Sequence, residues 1–238
     1  MQRRPAILNV AILVVLAAVV VVAAILISSG GGGGSETTAT PAPGANAEQA
    51  AEKLYAGIPQ KGITLGKPGA PATLVEIADL QCPFCAEYSN GAMPSVIADY
   101  VRTGKLDYEL RFRSFLGRDS VRAAGAAAAA ADQNKLYEFA DVFYRNQGPE
   151  NSGYADSAFM RMIAKQVPGL DAEKVVAAAN DPLSQPAVRG AEQFARDIGS
   201  TSTPDFYLRV KGRLTKVEPQ GTAPQDYAKA IDAALAQS

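Results

Sequence analysis

Two cysteines are the residues of this chain with the clearest capacity for chemistry. Cys82 and Cys85 are the only cysteines, and Pro83 and Phe84 separate them. A disulfide across so short a loop constrains the unfolded chain by only about 2 kcal/mol, so stabilisation is a weak reason for it. A thiol at the start of a helix instead meets unpaired backbone N–H groups, which favour its thiolate. The spacing therefore indicates a redox disulfide, with a structural bridge or metal binding as the alternatives.

The absence of histidine narrows the chemistry that Cys82 can perform. The chain contains no histidine, which excludes Ser-His-Asp and Cys-His catalysis. It also leaves too few soft ligands for a zinc site within the chain, so we expect no metal and no cofactor. The 23 basic residues nearly balance the 24 acidic ones, a composition that is not typical of a nucleic-acid-binding surface.

A short strand and a helix flank the cysteine pair in the predicted secondary structure. Residues 73–79 are β-branched and mostly apolar, which is typical of a strand buried on both faces. The segment after Cys85 carries apolar residues at helical spacing, and Pro94 is expected to interrupt it. Residues 106–115 then alternate apolar with polar or charged side chains, as strands do. The order strand, redox turn, helix, strand indicates a βαβ unit.

A long helical tract separates this unit from the C-terminal part of the chain. Helical spacing predicts helices at 121–131, 135–146, 156–166, 172–179 and 187–198. Two strands are predicted at 205–210 and 213–218, followed by an amphipathic helix at 223–236. The predicted fold class is therefore α/β, with a helical block at about 118–198 inserted between a βαβ half and a ββα half.

The N-terminal part predicts a membrane anchor followed by a linker. Arg3 and Arg4 precede an apolar run, residues 5–27, which at 1.5 Å per residue is long enough to cross a hydrocarbon core of about 30 Å. The arginines favour a cytoplasmic N-terminus and an extracytoplasmic remainder, with a cleaved signal peptide as the alternative. We therefore expect a cytoplasmic N-terminus and transmembrane signal-anchor at 1–27, a flexible linker at 28–47 and one domain at 48–238.

Three features of the sequence together resemble the DsbA-like branch of the thioredoxin superfamily. They are the segment around the cysteines, an Ala-rich helix that runs into an aromatic one, and a Thr-Pro pair directly before the predicted hairpin. They read Asp79-Leu80-Gln81-Cys82-Pro83-Phe84-Cys85, Arg122-Ala123-Ala124 with Lys135-Leu136-Tyr137-Glu138-Phe139, and Ser202-Thr203-Pro204-Asp205-Phe206-Tyr207. The resemblance covers most of residues 63–236. It implies a thioredoxin fold with a helical insertion, preceded here by one transmembrane helix.

The resemblance also implies roles for individual residues. Cys82 would be the exposed interchange cysteine, and Cys85 the buried cysteine that resolves a mixed disulfide. Thr203 and Pro204 would hold an extended polypeptide beside the sulfurs, with a cis peptide bond before Pro204. An ordinary trans proline that starts a strand is the alternative.

Two further positions would tune this pair. Glu76 lies six residues before Cys82, where the family commonly has a buried acid, so the resemblance implies a carboxyl with a raised pKa that relays a proton to or from Cys85. A partly solvated glutamate with no chemical task is the alternative. In the active-site loop of Pro83 and Phe84, Phe84 stands where many DsbA-type oxidases have histidine. We therefore expect a Cys82 pKa below that of a free thiol, but a less oxidising centre than the extreme members.

The predicted function is an extracytoplasmic thiol-disulfide oxidoreductase that donates disulfides to secreted proteins. The expected partners are reduced or unfolded secreted polypeptides, a quinone-linked membrane reoxidant and the cell membrane through the N-terminal helix; no nucleic acid is expected. A reductase or isomerase of the same fold is one alternative, because residue types alone do not fix the direction of electron flow. An anchored, non-catalytic binding module with a structural disulfide is another.

Overall fold

The computed structural model describes residues 45–237, and the order of their elements follows the predicted one with additions at the start. Strands β1 to β6 span Gln60–Lys61, Thr64–Leu65, Thr73–Ala78, Asp107–Phe112, Asp205–Val210 and Arg213–Val217. Helices α1 to α9 span Ala45–Tyr55, Pro83–Asn90, Met93–Val96, Arg118–Asp132, Leu136–Arg145, Ser157–Lys165, Ala172–Asn180, Pro186–Asp197 and Pro224–Ala236. A π turn, Ile97–Val101, continues α3, and a 3-10 turn, Pro182–Ser184, precedes α8.

The predicted membrane anchor at 1–27 and the predicted linker up to residue 44 lie outside the described residues. Within residues 45–237, no helix is both long enough and apolar enough to cross a membrane.

Strand β3 lies inside a mixed six-stranded sheet of order β1-β2-β4-β3-β5-β6. It runs parallel to β4 and antiparallel to β5, so Glu76 is paired with Leu110 on one side and with Phe206 on the other. Every residue of β3 after Thr73 is buried, as expected of an apolar strand with neighbours on both edges. The βαβ and ββα halves therefore join in one sheet, and β3 delivers the chain directly to the cysteine pair.

The two faces of β3 are buried in different clusters. Leu74 and Ala78 belong to the main core, which also contains buried residues of α2, α5 and α9. Val75 and Ile77 belong to a smaller cluster that packs against α8. Because side chains alternate along a strand, Glu76 shares the face of Leu74 and Ala78 and points toward the main core.

The helical block between β4 and β5 contains α4 to α8, close to the predicted bounds. The alanine run at 126–131 is buried throughout, and the small side chains of α4 allow neighbouring helices to approach closely. Gly125 shows how close this approach is, since a Cβ there would come within 2.4 Å of the carbonyl oxygen of Ala178 in α7. The alanine run is therefore a packed helix rather than a low-complexity segment.

Three predicted bounds differ from the structure. The helix after Cys85 ends at Asn90, and a second helix starts at Met93 with Pro94 in its first turn, where proline costs no hydrogen bond. Strand β4 ends at Phe112 rather than at 115, because its parallel partner β3 ends at Ala78, the residue paired with Phe112. The linker prediction is wrong for residues 45–47, which belong to α1.

The residue patterns of the sequence do not predict α1, β1 or β2. The helix packs against α5, where the Tyr55 ring lies 5.8 Å from the Tyr137 ring. Strand β2 pairs antiparallel with β4 and β1 pairs with β2, so these additions extend the sheet beyond β4. The strands escape prediction because each has only two residues, which is too short for an alternating pattern.

Candidate active site

The two cysteines lie at the junction of β3 and α2. Cys82 is the N-cap residue of α2, and Pro83 starts the first turn, where its fixed backbone angle suits a helix. Both thiols are free; Cys85 is fully buried and Cys82 is only 4% exposed. The prediction that Cys82 is exposed is wrong in this structure, because the backbone of Thr203 lies against its sulfur.

The surroundings of Cys82 favour its thiolate. Its thiol donates a hydrogen bond of 3.3 Å to the carbonyl oxygen of Thr203, a contact that by itself favours the protonated form. A hydrogen bond from the Cys85 thiol lowers the pKa of Cys82 to about 6, against the opposing effect of burial. The Thr203 side chain and the backbone N–H groups of Cys85 and Phe84 lower this pKa further. The first turn of α2 therefore supplies the stabilisation that no histidine provides.

The surroundings of Cys85 have the opposite effect. Burial raises the pKa of the Cys85 thiol well above its ordinary value, and the hydrogen bond to Cys82 raises it further. The nearby negative charge of Glu76 adds to this increase. Cys85 therefore keeps its proton until a base removes it.

The loop before β5 brings Thr203 to the cysteines, and its Thr203-Pro204 peptide bond is cis, which confirms the implied geometry. Arg113 donates a hydrogen bond of 2.7 Å to the carbonyl oxygen of Ser200 at the start of this loop. At its end, the carboxylate of Asp205 accepts a hydrogen bond of 2.8 Å from the Ser200 hydroxyl. Both ends of the loop are thus fixed, which holds the Thr203 backbone in place.

Glu76 lies on β3 within the main core and is 3% exposed. Burial raises the pKa of its carboxyl to about 8, although a hydrogen bond from Tyr108 opposes the increase. The Tyr108 hydroxyl lies 2.6 Å from Glu76 Oε2 and 3.0 Å from the Tyr88 hydroxyl. The structure therefore places Glu76 in a buried cluster with two tyrosines, not at a solvated edge.

A buried polar network connects the segment before Cys82 to the helical block. The Asp79 carboxylate accepts hydrogen bonds from the backbone N–H of Gln81 at 2.8 Å and from the Ser120 hydroxyl at 2.7 Å. The Gln81 side chain in turn bonds Ser120, and its amide oxygen accepts a hydrogen bond from the backbone N–H of Asn151. The start of α4 and the loop after α5 therefore fix the chain that leads into the redox turn.

Gln147 makes a second connection between the helical block and the redox turn. Its side-chain N–H₂ group donates hydrogen bonds to the carbonyl oxygens of Leu80, at 2.8 Å, and Cys82, at 3.2 Å. Both carbonyls belong to the turn itself, so Gln147 orients the Leu80–Gln81 and Cys82–Pro83 peptide groups.

Apolar surface borders the redox turn. Phe84 is 65% exposed, which is unusual for a side chain of its size. Phe115, in the loop after β4, is 43% exposed, and the Arg113 guanidinium lies 4.7 Å from its ring centre. An exposed phenylalanine between the two cysteines places an apolar contact directly beside the reactive sulfur.

The structure brings the predicted site residues together and adds others. Cys82, Cys85 and Thr203 meet at one end of the sheet, and Glu76 lies in the core on the side of the buried thiol. Sequence reasoning misses Tyr108, Tyr88, Gln147 and the Asp79 network. A signal existed for Tyr108, a tyrosine at an inward position of the strand predicted beside the one that carries Glu76.

A buried thiol that keeps its proton, beside a thiol that loses it easily, suits thiol-disulfide exchange. The family model described as "Thioredoxin" matches residues 59–233, and the chain belongs to this family. The protein is thus a thiol-disulfide oxidoreductase with an α/β thioredoxin fold.

Named relatives agree with this class. The chain is 27% identical over 168 residues to the probable disulfide bond formation protein D of Bacillus anthracis, an alignment that covers 69% of this chain and 68% of the relative. The crystal structure of oxidised BdbD from Bacillus subtilis has a TM-score of 0.63 and 18% identity, covering 75% of this chain and 97% of that one. Wolbachia pipientis alpha-DsbA1 has a TM-score of 0.60 and 20% identity, covering 74% and 91%. The two solved structures show that the fold is shared.

Proposed function

We propose that this oxidoreductase works as an oxidase, donating the Cys82–Cys85 disulfide to reduced polypeptides outside the cytoplasm. The observation that carries this proposal is the environment of Cys82, whose pKa is lowered to about 6. A thiolate stabilised in the reduced protein makes the dithiol form more stable, and the disulfide form is then a stronger oxidant. Phe84 supplies no positive charge, so we expect an oxidant of intermediate strength.

The oxidase reaction proceeds through a mixed disulfide. A substrate thiolate attacks the Cys82 sulfur and forms a substrate–Cys82 disulfide, which breaks the bond to Cys85 and releases it as a thiolate. A second substrate thiolate then attacks the substrate sulfur of the mixed disulfide. Cys82 leaves as a thiolate, the substrate holds a new disulfide, and the protein has gained two electrons.

Glu76 donates a proton to Cys85, or accepts one from it, in this scheme. The Cys85 thiolate formed in the first step takes up a proton, because burial makes its charge costly. Glu76 is protonated below a pH of about 8 and lies in the same buried region, so it is the group that supplies this proton. In the reverse direction, the Glu76 carboxylate accepts the proton as Cys85 attacks.

The surface around Cys82 suits an extended polypeptide. The fixed loop presents the backbone of Thr203 beside the reactive sulfur, where a substrate strand forms backbone hydrogen bonds. The exposed Phe84 and Phe115 side chains offer apolar contacts to an unfolded chain. Backbone pairing and apolar contact are both tolerant of sequence, which suits many different substrates.

Turnover requires a reoxidant, for which we propose a quinone-linked membrane protein. An anchor formed by residues 1–27 would keep the domain beside such a partner. Protease treatment of intact and lysed cells tests the location. The extracytoplasmic domain is expected to be digested in both, and protection in intact cells would contradict it.

The equilibrium redox potential of the Cys82–Cys85 pair tests the direction of the reaction. The protein is equilibrated in glutathione buffers, free thiols are alkylated, and mass spectrometry gives the oxidised fraction. We expect a potential near or above about −180 mV, the range of oxidising catalysts. A potential near about −270 mV, the value of thioredoxin, would identify a reductase instead.

Two activity assays complement this measurement. Oxidative refolding of a reduced, unfolded protein is expected to be accelerated more strongly than reduction of insulin. The Cys82→Ser variant is the control for both assays, because it keeps the fold but lacks the reactive sulfur. Full activity of Cys82→Ser in both assays would contradict a catalytic role for the pair.

A further inference from the structure

The carboxyl group of Glu76 is held in an unusual way for a buried acid. No lysine or arginine of the described residues forms an ion pair with it. Its hydrogen-bonding partner is the hydroxyl of Tyr108, at 2.6 Å from Oε2. The neutral hydroxyl, rather than a cation, therefore determines how this carboxyl is oriented.

The direction of the hydrogen bonds follows from counting protons. When Glu76 is a carboxylate its oxygens can only accept, so the Tyr108 hydroxyl donates its single proton to Glu76 Oε2. Its 3.0 Å contact with the Tyr88 hydroxyl must then use the proton of Tyr88. Two hydroxyls in series thus point their protons toward one carboxyl oxygen, and each bond polarises the next.

Ring contacts from three other elements, α5, β5 and α9, fix both tyrosines. Tyr108 lies on β4, and its ring meets the Tyr137 ring edge-on at 6.1 Å, while the Tyr137 hydroxyl donates to the Tyr108 carbonyl oxygen. Tyr88 lies on α2, and its ring is 4.7 Å from the rings of both Phe206 on β5 and Tyr227 on α9. The Tyr108 ring is fully buried and the Tyr88 ring is 2% exposed. Neither hydroxyl is free to turn toward solvent.

We propose that Tyr108 and Tyr88 are positioning residues for the proton relay, holding Glu76 by Oε2 so that its carboxyl is oriented to exchange a proton with Cys85. This proposal rests on the proposed role of Glu76 in proton transfer. It adds that the two hydroxyls set the pH range in which Glu76 accepts a proton, because donors to a carboxylate favour its charged form.

The other titratable groups that face Glu76 carry no positive charge. They consist of tyrosines and the two cysteines. They are Tyr55 of α1, Cys82, Cys85 and Tyr88 at the redox turn and α2, Tyr108 of β4, Tyr137 and Tyr144 of α5, and Tyr227 of α9. Removing the Tyr108 hydroxyl therefore leaves no cation to compensate.

The reaction of the reduced protein with glutathione disulfide isolates the step. The Cys82 thiolate attacks one glutathione sulfur and releases the other glutathione as a thiolate. Cys85 then gives its proton to Glu76 and attacks the Cys82 sulfur, releasing the second glutathione and forming the intramolecular disulfide. Acid quenching and mass spectrometry at saturating glutathione disulfide give the rate constant of this second step. The measurement does not depend on whether the protein acts as an oxidase or as a reductase.

The test compares Tyr108→Phe, Tyr88→Phe and the control Tyr100→Phe over a range of pH. Tyr100 is a matched control because its hydroxyl also lies near a carboxylate, that of Asp232 at 2.8 Å, away from the cysteines. We expect the midpoint of the pH profile to rise by about one pH unit or more in Tyr108→Phe, the scale of a lost hydrogen bond to a charged group. A smaller rise is expected in Tyr88→Phe and none in Tyr100→Phe. Infrared titration of the Glu76 carboxyl band should show the same shifts.

The Glu76→Gln variant separates the two proposals. If it abolishes the pH midpoint, and adding Tyr108→Phe then changes nothing further, the tyrosines act through Glu76. If Glu76→Gln abolishes the midpoint but Tyr108→Phe leaves both the profile and the infrared titration unchanged, the positioning role is wrong and the relay stands. If Glu76→Gln keeps the midpoint of the unsubstituted protein, the relay itself is wrong. A loss of stability alone does not imitate these results, because a folded fraction does not shift a midpoint.

Discussion

Cys82 and Cys85 lie one helical turn apart, yet their surroundings shift the pKa values of the two thiols in opposite directions. The pKa of Cys82 is lowered and that of Cys85 is raised. We term the region around Cys82 the outer rim; it consists of Cys82, Phe84, Thr203 and Pro204. Backbone N–H groups of the first turn of α2 and the loop before β5 form this region. There a thiolate is stabilised, with a pKa of about 6 for Cys82. The outer rim therefore makes the Cys82 thiolate a good leaving group when the mixed disulfide is resolved.

The region around Cys85, which we term the inner chamber, is apolar apart from hydroxyls and one carboxyl; it consists of Cys85, Glu76, Tyr88 and Tyr108. There burial raises the pKa of both the thiol and the carboxyl, so both groups hold protons at neutral pH. The two environments therefore determine the order of the steps when the reduced protein reacts. The Cys82 thiolate can react at once, whereas Cys85 reacts only after its proton has been transferred.

Replacing each cysteine by serine should have the largest effect on activity, and it tests most directly whether Cys82 and Cys85 have different roles. Cys82→Ser is expected to abolish oxidation and reduction of substrates, because the stabilised thiolate is lost. Cys85→Ser should still form the mixed disulfide but fail to resolve it, so the adduct accumulates. Non-reducing mass spectrometry after mixing with a substrate shows which variant retains it. Accumulation in Cys82→Ser instead would reverse the assignment of the two regions.

Stability as a function of pH sharpens the comparison. Between pH about 4.5 and 8, folded Glu76 holds a proton that the unfolded chain releases, so the free energy of unfolding should fall as the pH rises. For Cys82 in the reduced protein, the unfolded chain holds the extra proton between pH about 6 and 9, so the same free energy should rise. Oxidised protein lacks the Cys82 thiol, so this opposing contribution is absent from it.

The measurement is urea unfolding of oxidised protein at pH 5 and pH 8. Glu76→Gln should remove most of the loss between these two values, on the order of 3 kcal/mol. The exposed Glu52 provides a control, and Glu52→Gln should keep the full decrease. An equal decrease in Glu76→Gln and in the unsubstituted protein would show that Glu76 is not the buried acid responsible.

A substitution at Phe84, with a smaller expected effect, tests how a positive charge in the outer rim changes the pKa of Cys82. In Phe84→His, an imidazolium near Cys82 should lower the pKa of Cys82 by about one, which corresponds to about tenfold in its ionisation equilibrium. The thiolate absorbance of reduced protein measures this pKa, which we expect near 6 before the substitution. Phe84→Leu is the matched control without charge. If both variants shift the pKa equally, packing rather than charge is responsible, and a value near 8.5 in the unsubstituted protein would contradict thiolate stabilisation at the outer rim.

Much of the fold could be predicted from the sequence because its signals are local. The buried strand before Cys82, the alanine-rich helix and the paired strands around Gly212 each have their own composition or spacing. What could not be predicted depends on partners that are distant in the chain. Strands β1 and β2 exist only because β4 offers them an edge, and their own residues carry no pattern.

The site shows the same division. The cysteines and the Thr203-Pro204 pair lie in short motifs, and Glu76 has a fixed spacing from Cys82. The hydroxyl of Tyr108 reaches Glu76 only because β4 lies parallel to β3 in one particular register. Alternation along residues 106–115 predicts which side chains face inward, but not which strand they meet. Glu76 could therefore be predicted from a local spacing, whereas its tyrosine partners could not, because they depend on the register between distant strands.

Gln147 and the Asp79 network give the helical block a role in folding as well as in geometry. The hydrogen bonds to Leu80 and Cys82 come from a residue more than sixty positions later in the chain, so the turn cannot reach its final form until α4 and α5 have docked. Local opening of the turn would leave buried polar groups without partners, which makes it costly. The reactive pair is therefore tied to the insertion, and the redox turn makes its full set of hydrogen bonds only while the insertion is packed against it.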